Sequence, residues 1–217
     1  MTESIKNFLG TIFIGIATTI VRIIGQLAIP AGEQTILSPS IFAQNGTMPI
    51  AFTIYGIFAY SLIAALFLLI RKRTGGNRIW QGLRYGFACC AVWTVYLWEP
   101  LPHVVPLDRI TYPVADGLAL IVMGLLLGWL FGHTGPSVKK RSWKMLALPV
   151  LIITLCFTAG RLLLYYVIGI YSSFPEKTVE TLLWCLLTGF VTACAMTWLN
   201  RYVDGGSRIK RSLILGG

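Results

Sequence analysis

The sequence predicts an all-α integral membrane protein with six transmembrane helices and with both termini in the cytoplasm. Hydrophobic residues make up 56% of the 217 residues and charged residues only 12%, whereas soluble domains are about 45–50% apolar and about a quarter charged. Six stretches are mostly apolar and have the length of about 20 residues that a helix needs to cross a bilayer. The connections between these stretches alternate between strongly basic and nearly free of basic residues.

The six predicted spans follow one another as a single polytopic membrane domain over residues 1–217. None of them alternates polar and apolar residues as a strand of a membrane barrel does. A helix also satisfies its own backbone hydrogen bonds in lipid, which an isolated strand cannot do. The predicted spans are residues 8–30, 50–70, 79–98, 113–132, 145–171 and 179–199.

The orientation follows from where the basic residues lie. Lysines and arginines cluster in residues 71–78, 139–144 and 201–211, after the second, fourth and sixth spans. The opposite connections hold only Arg109 and Lys177 as basic residues. Because cytoplasmic loops carry an excess of Lys and Arg, we expect both termini in the cytoplasm and the protein in the cell membrane. This topology accounts for the net charge of +10, and we expect no nucleic-acid partner.

Two arginines lie deep inside predicted spans. At a rise of 1.5 Å per residue, Arg22 and Arg161 lie about 12 and about 15 Å below the outer surface. A lone guanidinium at that depth is costly, so each should have a partner. Asp116 and Glu180 begin neighbouring spans near the same surface and are the expected partners. The candidate ligand-binding residues are Arg22, Gln26, Asp116, Arg161, Tyr165 and Glu180.

This group of charges has two interpretations. It is either a clamp that fixes the packing of the helices, or a polar cavity open to the outside. In the second case the two arginines would bind a small anionic or amphipathic ligand, since guanidinium groups pair well with carboxylates and phosphates. The rotation of each helix about its axis decides between the two, and the sequence leaves it open.

Glycines form a regular pattern in the fourth span. Gly124, Gly128 and Gly132 are four residues apart and therefore share one helix face, where another backbone can approach closely. The pattern favours packing inside the bundle. The alternative is a helix-packing partner protein that binds this face.

Motifs for catalysis, metals and cofactors are missing from the sequence. The two histidines, His103 and His133, are predicted at opposite ends of the bundle, and the five cysteines all lie within spans without a C-x-x-C motif. We therefore expect neither a metal nor a cofactor, and we assign no catalytic residue. The external loop 99–112, with Glu99, His103 and Asp108, is where an enzyme would hold its acid–base groups.

The sequence favours a protein that handles a small solute, as a permease or as the substrate-binding subunit of a transporter. A membrane enzyme that uses the 99–112 loop and a non-catalytic partner subunit are the alternatives. The length and helix number are similar to those of the substrate-binding components of energy-coupling-factor vitamin transporters. Residues 8–30 lack the A-x-x-x-A signature of their first helix, so we assign no family.

Overall fold

The structure, a computed structural model, describes residues 2–29, 41–102, 106–135, 146–170 and 172–203. Across these ranges the chain is helical and contains no β-strand, which confirms the predicted all-α class. The helices are α1 (Glu3–Leu27), α2 (Ile41–Gln44), α3 (Met48–Ile70), α4 (Arg78–Leu97), α5 (Asp108–Phe131), α6 (Ala147–Leu163) and α7 (Thr178–Asn200). A π-helical turn, Leu164–Ile168, continues α6.

Five helices are long and apolar enough to cross a membrane: α1, α3, α5, α6 with its π-helical turn, and α7. The predicted membrane class is therefore supported. α4, the third predicted span, is not among the five. Its first two turns contain Arg78, Gln81 and Arg84, which lower its hydropathy.

α5 begins at Asp108, five residues before the predicted start of that span, and contains Pro113. Proline has no N–H, so the carbonyl of Arg109 lacks its usual helical donor. The indole Nε1 of Trp98 donates to that carbonyl instead, with an N–O distance of 3.1 Å. The helix can therefore extend through the proline, because a side chain from the end of α4 replaces the missing hydrogen bond.

Consecutive long helices pack as three hairpins, α1 with α3, α4 with α5, and α6 with α7. α1 also packs on α5, and α7 on α4, so the helices follow the spatial order α3, α1, α5, α4, α7, α6. The main core lies between α3, α4 and α5, where Phe67, Tyr85 and Leu127 are buried. α6 lies at the edge of this array and is the least buried of the five apolar helices.

The array has two chemically different ends. At the basic end, α1, α4 and α6 begin and α3, α5 and α7 end; there Arg71 pairs with Glu3 at 3.2 Å, and the backbone N–H of Gly76 donates to the carbonyl of Gly135 at 3.1 Å. At the acidic end, opposite, lie Glu99 and Asp116. Residues 139–144 and 204–211 fall outside the described ranges. That the basic end faces the cytoplasm stays a prediction from charge.

The predicted glycine face of α5 contacts α4 of the same chain. A methyl group added at Gly124 would lie 2.6 Å from the carbonyl oxygen of Gly82. One added at Gly128 or Gly132 would lie 2.7 or 2.8 Å from that of Arg78. These distances are too short for a side chain, so the glycines allow the two backbones to touch. A partner helix at this face would have to displace α4.

Candidate functional site

The carboxylate of Asp116 is the centre of a first cluster, at the acidic end. Its Oδ1 accepts hydrogen bonds from Arg22 Nε at 2.9 Å and Gln26 Nε2 at 3.1 Å. Its Oδ2 accepts one from the indole Nε1 of Trp93, also at 2.9 Å. Arg22 and Gln26 reach the same carboxylate because they are four residues apart on α1 and share a face. We call Arg22, Gln26, Trp93 and Asp116 the Asp116 cluster.

The Asp116 cluster joins three helices around a carboxylate whose two oxygens both accept hydrogen bonds. The Asp116 side chain is 1% exposed, and both of its oxygens are bonded. The predicted partnership between Arg22 and Asp116 is present, with Gln26 beside it. Because a buried charge is stable only when it is paired and hydrogen-bonded, this arrangement holds α1, α4 and α5 together.

The guanidinium of Arg161 is the centre of a second cluster at the same end. Its Nη2 forms an ion pair with Glu99 Oε1, and Nε and Nη2 donate to the hydroxyl of Tyr165 at 3.3 and 3.0 Å. The Tyr165 hydroxyl in turn donates to Glu99 Oε1 at 2.8 Å. The Arg161 and Glu99 side chains are 14% and 11% exposed, so this pair is less enclosed than Asp116.

Aromatic rings enclose Arg161. The guanidinium carbon lies 4.9 Å from the ring centre of Trp184 and 5.1 Å from that of Tyr165, within the range of cation–π attraction. The Trp184 indole is fixed by a 2.7 Å hydrogen bond from Nε1 to the carbonyl of Val95. Tyr165 stacks on Phe174, with ring centres 5.2 Å apart. We call Glu99, Arg161, Tyr165 and Trp184 the Arg161 cluster.

The π-helical turn Leu164–Ile168 carries Tyr165. A π turn closes i to i+5 hydrogen bonds, so side chains within it project differently from those of a regular α-helix. The turn ends at Gly169, whose φ of +68° lies in the left-handed region that glycine adopts without strain. π turns are rare and occur frequently at functional sites, which favours the Arg161 cluster as the functional one of the two.

The predicted group of charges is thus divided between two clusters. Arg22 binds Asp116 and Arg161 binds Glu99, and the expected approach of Glu180 to the arginines is not observed. Glu180 is exposed in the first turn of α7 and belongs to neither cluster in the described ranges. Its neighbours Thr181 and Trp184 point inwards instead, because the rotation of α7 buries that face.

A chain of aromatic rings connects the two clusters. Trp93 of the Asp116 cluster lies 6.2 Å from Tyr96, and Tyr96 lies 6.1 Å from Trp184 of the Arg161 cluster, measured between ring centres. All these contacts run along the last turns of α4. The Asp116 cluster and the Arg161 cluster therefore lie on either side of the end of α4, in contact through these rings.

In the described part of the loop considered for an enzyme, both acids are buried. Glu99 is engaged by Arg161 and Tyr165. Asp108 is buried at the first turn of α5. His103 lies outside the described residues.

No protein-family model, no curated protein and no solved structure matches this chain. The chain is an all-helical protein whose apolar helices indicate that it is embedded in a membrane. Its activity is therefore argued from its own side chains.

Proposed function

We propose that this protein handles a small anionic solute in the cell membrane, as a permease or as the substrate-binding subunit of a transporter. In this proposal Arg161 binds the anion. The supporting observation is the surroundings of its guanidinium, which aromatic faces hold in place while its acidic partner, Glu99, is less enclosed than Asp116.

The chemistry of Arg161 suits exchange of one carboxylate for another. A guanidinium is planar, always charged and able to bind a carboxylate through two parallel hydrogen bonds. Its described contacts with Glu99 involve only Oε1 and only Nη2. A solute carboxylate could therefore replace Glu99 on Arg161, while Tyr165 and Trp184 keep the guanidinium in position.

Displacement of the acid, and not exposure of the arginine, supports the Arg161 cluster over the Asp116 cluster. The side chain of Arg161 is slightly less exposed than that of Arg22, at 14% against 19%. Asp116, however, is 1% exposed and is held by three helices, whereas Glu99 is 11% exposed. α6, which carries Arg161, packs mainly on α7 and lies at the edge of the array. An outward-facing polar cavity could open around Arg161 by a small movement of α6, without breaking the main core.

The first test is native mass spectrometry of the protein extracted gently from its own membrane. We expect a bound small molecule with wild type and with Arg22→Lys, and none with Arg161→Lys. Lysine keeps the charge in both variants but loses the planar fork and the stacking of arginine, so the two variants are matched. Retention of the small molecule by Arg161→Lys would overturn the assignment of the site.

The second test removes the competing carboxylate. Glu99→Gln keeps the shape of the side chain and takes away the charge that a solute must displace. We expect this variant to bind succinate, as a representative small carboxylate, at least about tenfold more tightly than wild type, a change of about 1.4 kcal/mol. Asp116→Asn, if it folds, should leave succinate binding unchanged. Weaker or unchanged binding by Glu99→Gln would contradict the exchange.

A further inference from the structure

An apolar cleft with a volume of about 230 Å³ lies between α3, α4 and α7. Leu66 of α3, Ala88 and Val92 of α4, and Met196 of α7 are among the residues that line it, and nearly all of its lining atoms are apolar. It extends from Trp93, in the last turns of α4, towards the basic end. It is separate from the Arg161 cluster.

The lining of the apolar cleft favours hydrocarbon. The hydroxyl of Tyr85, one of its few polar groups, already donates to the carbonyl of Ile63 at 2.6 Å. Cavities that hold whole small molecules are about 300–1,000 Å³, so this smaller space suits a segment of one flexible chain. Because lipid tails are as apolar as this lining, such a chain would be held by van der Waals packing in the cleft and not by transfer out of water.

A cation lies beside the cleft, on the side of the basic end. Arg84 is one helical turn before Ala88 on α4, and its side chain is exposed. Arginine near the end of a membrane helix extends its guanidinium to the headgroup level while its methylene groups stay in the apolar region. The cleft and Arg84 together therefore match a molecule with a hydrocarbon chain and an anionic head.

We propose that the apolar cleft binds one acyl chain of an anionic phospholipid from the bilayer leaflet at the basic end, with the lipid phosphate on Arg84. The charge of Arg84 selects the anionic headgroup, and the cleft fixes the chain. Trp93 contacts the cleft and also donates to Asp116. A bound chain would therefore contact a member of the Asp116 cluster.

The test is lipid retention by the detergent-purified full chain, titrated with phosphatidylglycerol or phosphatidylcholine and followed by native mass spectrometry. We expect wild type to bind one phosphatidylglycerol in preference to phosphatidylcholine. Arg84→Gln should lower that preference about fivefold, which corresponds to about 1 kcal/mol for one basic residue near a headgroup. Lys72→Gln, at an exposed cation of the same end, is the matched control and should keep the preference.

A second pair of variants tests the cleft itself. Ala88→Phe fills the cleft and should abolish retention of the lipid, whereas Ala91→Phe, at an exposed position one turn along α4, should not. Equal loss in both, or retention in both, would overturn the cleft as the chain site. Arg84 is exposed, so its substitution leaves the packing intact and that arm stands even if Ala88→Phe fails to fold. An unchanged preference in Arg84→Gln would overturn the headgroup assignment.

Discussion

The two charged clusters at the acidic end use the same ion pair in opposite ways. In the Asp116 cluster the anion is the centre, and three donors from α1 and α4 occupy both carboxylate oxygens. In the Arg161 cluster the cation is the centre, and its surroundings are two aromatic rings, one hydroxyl and one carboxylate. A surrounded acid can only hold its donors together. A surrounded arginine can remain in place while its anion is exchanged.

The difference extends to the helices that carry the clusters. α4 and α5 touch backbone to backbone through glycines, and α1 packs on α5 beside them. α6 touches the array chiefly through α7. The molecule therefore combines a tightly packed part, which contains Asp116, with a more loosely attached hairpin, which contains Arg161.

The largest expected effect is the loss of the Asp116 carboxylate. Asp116→Ala leaves Arg22 without its anion in an apolar region and should lower the free energy of unfolding by about 3–5 kcal/mol. Glu99→Ala should lower it less, by about 1.5–3 kcal/mol, since Arg161 keeps its contacts with Tyr165 and Trp184. Reversible unfolding in mixed detergent micelles measures both.

A double variant serves as the control for this comparison. Arg22→Met together with Asp116→Leu removes both charges and should recover most of the stability that Asp116→Ala loses. Equal destabilisation by Asp116→Ala and Glu99→Ala would show that the two clusters do not differ as described.

The next effect compares two glycines in the two parts of the molecule. Gly124→Ala places a methyl group 2.6 Å from the carbonyl of Gly82, so α4 and α5 must separate, and we expect a loss of about 1–3 kcal/mol. At Gly160 in α6 nothing lies within 4 Å, so Gly160→Ala should be neutral or should stabilise α6 by up to about 1 kcal/mol. The same unfolding measurement applies. A large loss in Gly160→Ala would mean that α6 is packed more tightly than its contacts indicate.

The smallest effect concerns the hydroxyl of Tyr165. Tyr165→Phe keeps the ring on Phe174 but removes the hydrogen bonds to Arg161 and Glu99, and should lower the free energy of unfolding by about 0.6–1.7 kcal/mol. Tyr166→Phe is the neighbouring control, because Tyr166 is 72% exposed and should tolerate the change. If solute binding depends on the orientation of Arg161, Tyr165→Phe should also weaken succinate binding while Tyr166→Phe does not. Identical behaviour of the two variants would show that the Tyr165 hydroxyl contributes neither to stability nor to solute binding.

Much of the fold follows from the sequence, and so does one half of the candidate site. Apolar stretches of membrane-spanning length identify the long helices, and the lower hydropathy of α4 is also readable in the sequence from Gln81 and Arg84. The pairing of Arg22 with Asp116 is predictable because both lie near the same surface and a buried guanidinium needs an anion. The depth of a residue in the membrane can be estimated from its position along the helix, and for Arg22 and Asp116 that is enough to predict the pair.

The Arg161 cluster depends on how each helix is rotated about its axis and on which helices are neighbours. The depth of a residue along its helix gives neither. Glu180 has a suitable depth but is exposed, while Glu99 lies just beyond α4, in a segment that the sequence assigns to a loop. Only the docking of α7 on α4 brings Trp184 and Arg161 to the end of that helix. The π turn also has no pattern in the sequence, since its residues are as apolar as those of a regular helix.

The glycine contact between α4 and α5 has a consequence for how the protein is made. α4 is less apolar than α5 and is not among the five helices that are apolar enough by composition to cross a membrane. Its backbone can be shielded by the glycine face of α5 as soon as that helix leaves the ribosome. Nascent chains that stop after α4 should leave this helix accessible to water, and chains extended through α5 should protect it. On this account α4 enters the membrane and pairs with α5 in one step during synthesis.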